Sequence, residues 1–385
     1  MTTTHSIPGR IVLSIAHVAG MIDLVALPVW VGVLISRYQF SPQQAGGLVT
    51  LFLTGAVAAS LFFAPRFSRM AGRVIAPTGF ALATLCFFGL SLTADYGSMA
   101  LLHGVGGLAV GCSLSFTHGT IGRSANPHRL FAITGLALGI FAIAFLGVVP
   151  QIVQSAGGLA MFKVFSGVML VATIATAVAF PVVSPGEAAN RNAPASATGI
   201  PRGLWFGIIG ICLMTMTQAT LFSFFERLGV DRGFGADRVV AVLIAVGFIN
   251  LLPAVLAAVL QHKWSAHRVM LAGPVLQMLL ALVITQASTY PPYAVAGSVF
   301  VFVMIFTHTF AFGLFASCDP SGRAVAATPA MLMIGSAIGP ILGGILVQHL
   351  GYESLGYATV VISTLSVLCF LRLGHQPLQG GTAIA

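Results

Sequence analysis

Residues 11–36 read IVLSIAHVAGMIDLVALPVWVGVLIS, and this stretch decides the class of fold. Its 26 residues contain one charged side chain, that of Asp23. A transmembrane helix needs about 20 predominantly apolar residues, so this stretch is long enough to span a bilayer. It is also longer than the apolar core of a secretory signal peptide, and no clean small-residue cleavage site precedes Asp23. We therefore expect a first transmembrane helix that is retained in the mature protein.

The composition of the whole chain agrees with a membrane environment. Of the 385 residues, 57% are hydrophobic and 6% are charged, whereas soluble domains carry roughly 25% charged residues. The 44 glycines fit packed membrane helices, whose backbones approach closely at small residues. We interpret the net charge of +9 as orienting the chain in the lipid bilayer, and we expect no nucleic-acid partner.

Apolar runs of similar length recur along the chain between short polar loops, and they predict an all-α membrane protein with twelve transmembrane helices. The longest polar interruption, SPGEAANRNAPASATGIPR at 184–202, has the composition of a linker. It divides the chain into an N-terminal six-helix bundle at 1–183, a cytoplasmic linker at 184–202 and a C-terminal six-helix bundle at 203–385. The predicted helices occupy residues 11–36, 43–65, 74–94, 99–122, 129–154, 158–183, 203–227, 238–262, 269–289, 293–317, 324–348 and 353–372.

Basic residues are distributed unevenly over the predicted loops. With the N-terminus inside the cell, twelve of the seventeen Lys and Arg residues are cytoplasmic and four are outside. Cytoplasmic loops are enriched in Lys and Arg, so this distribution predicts a multi-pass protein of the cell inner membrane with both termini cytoplasmic. The outer basic residues are Arg37, Arg227, Arg232 and Arg238, and we interpret the mixed-charge loop around the last three as solvated.

The two halves of the chain resemble each other weakly. Arg66-Phe67-Ser68 follows the second predicted helix, and Lys263-Trp264-Ser265 follows the eighth, 197 residues later. Asn126-Pro127 and Asp319-Pro320 precede the fifth and eleventh helices at an offset of 193. These landmarks predict that the six-helix halves are pseudo-symmetric copies; chance similarity between apolar helices is the alternative.

Two similar six-helix halves joined by a polar linker resemble the major facilitator superfamily over essentially the whole chain. The loop after helix 2, APRFSRMAGR at 64–73, is similar to the family's basic pattern Gly-x-x-x-Asp-Arg-x-Gly-Arg. It keeps Arg69, Gly72 and Arg73, with Ser68 where the family has aspartate.

Further motifs of this family lie inside the predicted helices. Helix 4 has His103 where the family has arginine, but it keeps the following glycines. Helix 11 contains the unbroken pattern GSAIGPILGG at 335–344, which is common in the superfamily. Helix 1, with Gly20, Asp23 and a Leu-Pro pair, resembles the sugar and drug efflux, drug:proton antiporter-like branch. The gating and structural motif residues in helices 4 and 11 are Gly107, Gly111, Gly335, Gly339, Pro340 and Gly343.

The resemblance implies alternating access around a cavity lined by helices 1, 4, 7 and 10. Asp23 is the only acidic residue near the middle of a predicted span, where an uncompensated charge costs roughly 2.5–3.5 kcal/mol. We predict that Asp23 carries a proton or binds substrate; the alternative is an aspartate hydrogen-bonded to helix backbone. His103 and His308 are predicted to exchange protons as well, or else to be neutral, hydrogen-bonded histidines. His17 stands six residues, or about 600° of helix rotation, from Asp23, so we interpret it as a packing residue.

The repeat places an amide at the position equivalent to Asp23. Adding 195 to 23 gives Gln218 on helix 7, near Thr215. A neutral amide can bind substrate but cannot carry a proton, so we predict a substrate contact there; hydrogen bonding between helices is the alternative. The other predicted substrate contacts are Phe306, Phe310 and Asn250.

These residues predict a secondary active, proton-coupled transporter of a small, largely apolar organic compound, with efflux favoured over uptake. Proton-coupled import of an organic acid or other small metabolite is the alternative. A metal-ion transporter has weaker support, from Met304 and His308 at i, i+4, and a non-transporting receptor has weaker support still. We expect no enzymatic activity, because the loops contain none of three common kinds of catalytic site. These are a nucleophile beside a base, a pair of carboxylates and a phosphate-binding loop. The five cysteines form no CxxC motif, and we expect no cofactor, no metal site and a monomer.

Overall fold

The computed structural model describes residues 2–63, 66, 70–124, 126–181, 202–261, 263–318 and 328–374. Within these ranges the chain forms fourteen α-helices. The first seven are α1 (Ile7–Gly20), α2 (Ile22–Ser36), α3 (Pro42–Phe63), α4 (Gly72–Leu90), α5 (Tyr96–Gly122), α6 (Pro127–Ala156) and α7 (Leu159–Ala179). The others are α8 (Arg202–Asp231), α9 (Ala236–Ile249), α10 (Pro253–Leu260), α11 (Ala266–Gln286), α12 (Tyr290–Cys318), α13 (Thr328–Leu350) and α14 (Glu353–Gly374).

Polar residues in the loops set where several helices begin. The carboxylate of Asp95, just before α5, accepts a hydrogen bond of 2.8 Å from the backbone N–H of Ser98. The side chain of Asn126, just before α6, accepts one of 3.1 Å from the backbone N–H of Arg129. Such caps satisfy N–H groups that have no partner inside the helix. The helices therefore start where polar loops interrupt the apolar runs, close to the predicted positions.

Eleven segments of the described chain are long and apolar enough to cross a membrane. The prediction of a single helix over 238–262 is wrong, because the structure has two shorter helices there, α9 and α10. Pro253 follows the break between them, and proline supplies no backbone N–H to continue the hydrogen bonds of a helix. The eleven spans and this broken twelfth confirm the all-α membrane fold.

The first span is interrupted at Met21, between α1 and α2. The backbone of Met21 has φ −115° and ψ 23°, outside the helical region. As a result α2 starts at Ile22, and Asp23 lies in its first turn. The N-terminus of a helix carries unpaired N–H groups and a partial positive charge, both of which favour a carboxylate. The break thus gives Asp23 a local compensation that an unbroken helix would not provide.

Helix starts repeat along the chain at a nearly constant offset. The spans Ile7–Ser36 and Arg202–Asp231 each have 30 residues and start 195 positions apart. This offset agrees with the loop landmarks, so the two halves are pseudo-symmetric six-helix bundles. Four further pairs of starts, each 194 positions apart, are Pro42 and Ala236, Gly72 and Ala266, Tyr96 and Tyr290, and Leu159 and Glu353.

The chain divides into two units. The N-terminal unit comprises Met1–Phe40 and Gly47–Pro194, and the C-terminal unit comprises Ser41–Gly46 and Ala195–Ala385. In the N-terminal unit α4 packs against α5 and α7, and α1 packs against α5, α6 and α7. In the C-terminal unit α8 packs against α13 and α14, and α11 packs against α12 and α14. The predicted linker at 184–202 lies outside the described residues except for Arg202, which begins α8.

Candidate functional site

The break in the first span positions Asp23. Its side chain lies in the first turn of α2, where the partial positive charge of the helix N-terminus favours a carboxylate. The side chain is partly exposed. Among the described residues of the N-terminal unit, the only other carboxyl group belongs to Asp95, which caps α5. Asp23 is therefore the one described carboxylate inside the spans of this unit.

His103 is buried in an aromatic cluster of the same unit. Its Nδ1 lies 2.7 Å from the carbonyl oxygen of Met99, so Nδ1 carries the proton of this hydrogen bond. Its ring centroid is 5.5 Å from that of Trp30 and 5.7 Å from that of Phe162. Trp30 stands seven residues after Asp23, about 10 Å along a helix, so the structure does not bring His103 and Asp23 together. Within the described part of the chain, His103 Nε2 and Trp30 Nε1 have no hydrogen-bond partner.

A pair of histidines joins α1 to α5. His17 Nδ1 and His118 Nε2 are 2.9 Å apart, and the ring of Phe131 from α6 lies 5.5 Å from that of His118. The prediction that His17 is a packing residue assumed one continuous helix up to Asp23, and the break at Met21 removes that assumption. Sequence reasoning missed His118 altogether. The available signal was that both histidines lie in the predicted cytoplasmic halves of helices 1 and 4.

In the C-terminal unit, several polar side chains of α8 are buried. The hydroxyl of Thr215 donates to the carbonyl oxygen of Cys212 at 2.8 Å, so it is used within the helix. Gln218 Oε1 and the hydroxyls of Thr217 and Thr220 have no hydrogen-bond partner among the residues that the structure describes. Buried polar atoms are nearly always paired, so each of these atoms is a candidate partner for water or for a bound solute.

An amide from α11 lies in the same unit. Gln277 is fully buried, and its Nε2 donates to the carbonyl oxygen of Met214 at 3.3 Å. Met214 stands one helical turn before Gln218 on α8, so Gln277 packs on the turn of α8 that precedes Gln218. Sequence reasoning missed Gln277, although an amide in the middle of an apolar run was a usable signal.

The predicted residues of α12 contact different neighbours. The ring of His308, which is partly exposed, lies 4.9 Å from that of Phe312. Phe306 and Phe310 pack on each other at 5.0 Å, and Phe306 contacts Trp264 at 6.0 Å. A substrate contact by Phe306 or Phe310 stays a prediction, and the ring contacts do not place either of them on His308.

Two further candidates lie at a helix break and in the core. Asn250 follows the last residue of α9, and its Oδ1 has no partner within the described ranges. Met304 packs in the core with Met214 and Met270, so its side chain is engaged in packing. The described residues contain no group of three or more His, Cys, Asp or Glu side chains that can hold a metal ion.

Motif glycines permit close helix contacts in each unit. A Cβ added at Gly107 or Gly111 of α5 would collide with the backbone of α3. One edge of α13, which contains Pro340, meets α8 in the same way. The glycines along this edge are Gly335, Gly339 and Gly343. Their spacing of four residues places them on one helix face, as in close contacts between membrane helices.

The basic motif after helix 2 is partly described. Gly72 begins α4, and the Nε of Arg73 donates to the carbonyl oxygen of Phe180 at 3.2 Å, at the end of α7. A cation there offsets the negative end of the helix dipole. Arg69 and Ser68 lie outside the described residues.

Arg232, which follows α8, is held by several groups of the C-terminal unit. Its guanidinium pairs with the carboxylate of Glu353 at 2.8 Å, and the Arg232 side chain is 17% exposed. It also donates to carbonyl oxygens at the end of α11, those of Ile284 and Thr285, and to that of Ala287, the residue after this helix. The interpretation of this charge as solvated is therefore wrong.

Asp231, the last residue of α8, forms a second group of polar contacts beside Arg232. Arg227 pairs with it at 2.6 Å, and the hydroxyl of Tyr352 donates to it at 2.6 Å. Burial and the neighbouring carboxylate raise the pKa of Tyr352, so this phenol stays a donor at neutral pH.

Comparison with known proteins places these features in a family. The sequence profile of the Major Facilitator Superfamily matches residues 12–321. The crystal structure of a D-xylose-proton symporter is 16% identical, with a TM-score of 0.72 over 97% of this chain and 98% of that chain. The crystal structure of the nucleoside transporter NupG is 14% identical, with a TM-score of 0.70 over 96% of this chain and 98% of that chain. A third structure is that of the xylose transporter XylE from E. coli in a partially occluded inward-open conformation. It is 14% identical, with a TM-score of 0.74 over 97% of this chain and 98% of that chain.

A search of curated proteins found no match. At these identities the structural likeness shows the fold, whereas the family profile covers most of the sequence. The chain is therefore a membrane transporter of the major facilitator superfamily rather than an enzyme.

Proposed function

We propose that this transporter couples proton movement to the uptake of a small, neutral organic metabolite, with Asp23 as the group that binds and releases the proton. The observation that carries the proposal is the position of Asp23. It is a partly exposed carboxylate at the start of a half-helix, inside a unit whose other described carboxyl group caps α5. An ionisable group inside a membrane span is costly and is usually functional. Discontinuous helices recur at the ion and substrate sites of transporters.

Neutral polar atoms of the C-terminal unit support the choice of substrate. Gln218 Oε1 and two nearby hydroxyls are buried without partners among the described residues, and Gln277 adds a buried amide. Such atoms suit a solute with hydroxyl or amide groups better than a purely apolar one, because unpaired polar atoms lose hydrogen bonds on burial. Thr215 and Asn250 are proposed as further contacts.

The direction of transport is proposed from the same features. Efflux of a largely apolar compound rests on the likeness of the first helix alone. Uptake is supported by the printed activities of the structural neighbours, a D-xylose-proton symporter and a nucleoside transporter. Proton exchange by His103 and His308 stays a prediction.

Vesicles with an imposed pH gradient test the proposal. The purified protein is reconstituted, and a panel of pentoses, hexoses, nucleosides and organic acids is offered with the lumen alkaline or acidic. We expect at least one neutral compound to accumulate on the alkaline side. The pH of the opposite, acidic side should rise, because protons leave it together with the compound. Accumulation that ignores the gradient would refute proton coupling, and accumulation driven only by the reversed gradient would indicate efflux.

Two matched variants test Asp23 itself. Asp23→Asn is expected to abolish gradient-driven accumulation while exchange of labelled for unlabelled compound continues, because exchange needs no net proton transfer. Asp95→Asn makes the same chemical change at a cap where asparagine serves equally well, and it is expected to behave as wild type. Retained accumulation in Asp23→Asn would remove Asp23 from the mechanism.

A further inference from the structure

We propose that His17 and His118 form a proton relay between Asp23 and the end of the N-terminal unit at which α1 begins and α5 ends. The inference rests on the proposed proton coupling and adds the route by which the proton leaves. It concerns residues that sequence analysis assigned to packing or did not consider.

The relay is built on a direct contact between two imidazole rings. His17 Nδ1 and His118 Nε2 are 2.9 Å apart, with ring centroids at 5.1 Å. Both atoms are ring nitrogens, so at this distance one of them carries a proton and the other offers a lone pair. The contact is consistent only with a single shared proton, and the donor and acceptor roles can be exchanged by moving it.

The pair lies on the side of Asp23 toward this end of the unit. Asp23 stands six residues after His17, about 9 Å along the span, so the two side chains are too far apart for a direct hydrogen bond and the relay requires bridging water between the carboxylate and the ring. His118 stands four residues before the end of α5. His118, Ser115 and Cys112 are spaced three residues apart and are all partly exposed. This face of α5 therefore presents small or polar side chains rather than the large apolar ones typical of a lipid-facing surface.

The surroundings of the pair offer no competing carboxylate. Helix α1 packs against α5, α6 and α7, and none of these four helices contains Asp or Glu. Asp23, at the start of α2, is the described carboxylate that follows on the same span. The described charged or titratable side chains of the four helices are Arg10, Tyr96, His103, Cys112, Arg129 and Lys163, besides the pair itself; the side chain of His128 is outside the described part.

The packing of the bundle does not require two histidines at this contact. At the repeat offsets of 195 and 194 residues, the positions equivalent to His17 and His118 are Cys212 and Phe312. The C-terminal unit thus forms the same kind of bundle without the pair. Histidines occur at both positions only in the unit that contains Asp23, which favours a role in proton movement over a role in folding.

The transfer conserves protons and charge. In the starting state His17 Nδ1–H donates to the Nε2 lone pair of His118, and His118 Nδ1 carries a second proton. A proton from the side of Asp23 binds His17 Nε2, the Nδ1 proton passes to His118 Nε2, and His118 releases its Nδ1 proton. One proton enters, one leaves, and both rings are neutral again with the hydrogen bond reversed.

Proton flux in reconstituted vesicles tests the relay, with the compound that wild type accumulates in the panel as the probe. His17→Gln and His118→Gln keep one donor and one acceptor but cannot pass a proton. We expect each to reduce compound-driven proton flux by roughly tenfold or more, the scale on which a positioned proton-transfer group acts, while exchange of labelled compound stays within twofold of wild type. His349→Gln, at the exposed end of α13, is the matched control and is expected to match wild type.

The possible failures are distinguishable. Wild type that moves no protons with any compound refutes the coupling and the relay together. Coupled wild type with fully coupled glutamine variants refutes the relay alone. An independent readout is ¹⁵N-histidine NMR of the full chain in lipid nanodiscs: of the two contacting nitrogens, His17 Nδ1 and His118 Nε2, one is expected to be protonated and the other not, and two protonated or two unprotonated nitrogens would overturn the shared proton.

Discussion

Replacing Arg232 by alanine is expected to destabilise the C-terminal unit far more than replacing Arg227, although both changes remove one arginine near the end of α8. Arg232 is 17% exposed and contacts three backbone carbonyls and one carboxylate. Arg227 is 27% exposed, and its ion pair is with Asp231, four residues later on the same helix. The structure therefore separates a charge that joins elements distant in sequence from one that acts within a single helix.

The magnitude follows from the partners that each variant loses. A hydrogen bond to a charged group contributes about 1.5–3 kcal/mol when it is partly shielded, and the Arg232 guanidinium makes such bonds to the last carbonyls of α11. The pair with Glu353 adds at most about 1 kcal/mol, because that carboxylate is 51% exposed. Rehydration of the freed carbonyls offsets part of the loss, which leaves about 2–4 kcal/mol for Arg232→Ala. The exposed i, i+4 pair of Arg227 accounts for about 0.3–0.5 kcal/mol.

Thermal unfolding of the purified chain in lipid nanodiscs provides the measurement. For a unit of this size 1 kcal/mol corresponds to a change in Tm of roughly 2–4 °C, so Arg232→Ala is expected to lower Tm by about 4–16 °C and Arg227→Ala by about 1–2 °C. Glu353→Gln isolates the ion pair and is expected to lower Tm by no more than about 4 °C. Equal shifts for the two arginine variants would refute the reasoning, as would a Glu353→Gln variant as unstable as Arg232→Ala.

Three further predictions concern packing, capping and buried polar groups. Gly339→Ala is expected to lower the free energy of unfolding by about 1–3 kcal/mol, because the new Cβ would lie 2.7 Å from a backbone nitrogen of α8. Gly135→Ala is the control: its Cβ would lie in open space on α6, so it is expected to be neutral or stabilising in the same unfolding assay. The hydrogen bond from Ser98 lowers the pKa of Asp95, so the ionised cap stabilises the fold at neutral pH. This contribution is lost as the pH falls through the lowered pKa. Asparagine does not titrate, so the Tm of Asp95→Asn should lack this acid-dependent decrease. Ser363→Ala removes a buried hydroxyl that has no partner among the described residues, and a decrease in Tm would show that water or another group satisfies it.

The membrane fold and the repeat could be predicted from the sequence because both depend on properties that are local along the chain. Span length and hydrophobicity are fixed by consecutive residues, and the offset of about 195 appears in loop landmarks before it appears in helix starts. The breaks at Met21 and before Pro253 were missed because proline and glycine also occur inside continuous membrane helices, such as α4 with Pro77.

Contacts between distant positions account for most of what sequence reasoning missed in the candidate site. His17 and His118 are 101 residues apart, and Arg232 reaches carbonyls more than 50 residues away. A side chain's partner on another helix depends on helix packing, which periodicity does not report. His103 illustrates the same limit: substitution for the family's arginine suggested a partner for Asp23, whereas its ring lies among Trp30 and Phe162.

The repeat also explains why the two units differ where they would be expected to match. Position 23 carries a carboxylate and the equivalent position 218 an amide, and the histidine contact of one unit is replaced by Cys212 and Phe312 in the other. The same backbone arrangement therefore tolerates either protonatable or neutral side chains, so packing did not dictate the choice. A coupled transporter needs one group that changes charge and others whose hydrogen bonding stays constant when it does. Under the proposed coupling these demands fall on different copies of one fold, so the solute contacts can vary without disturbing Asp23.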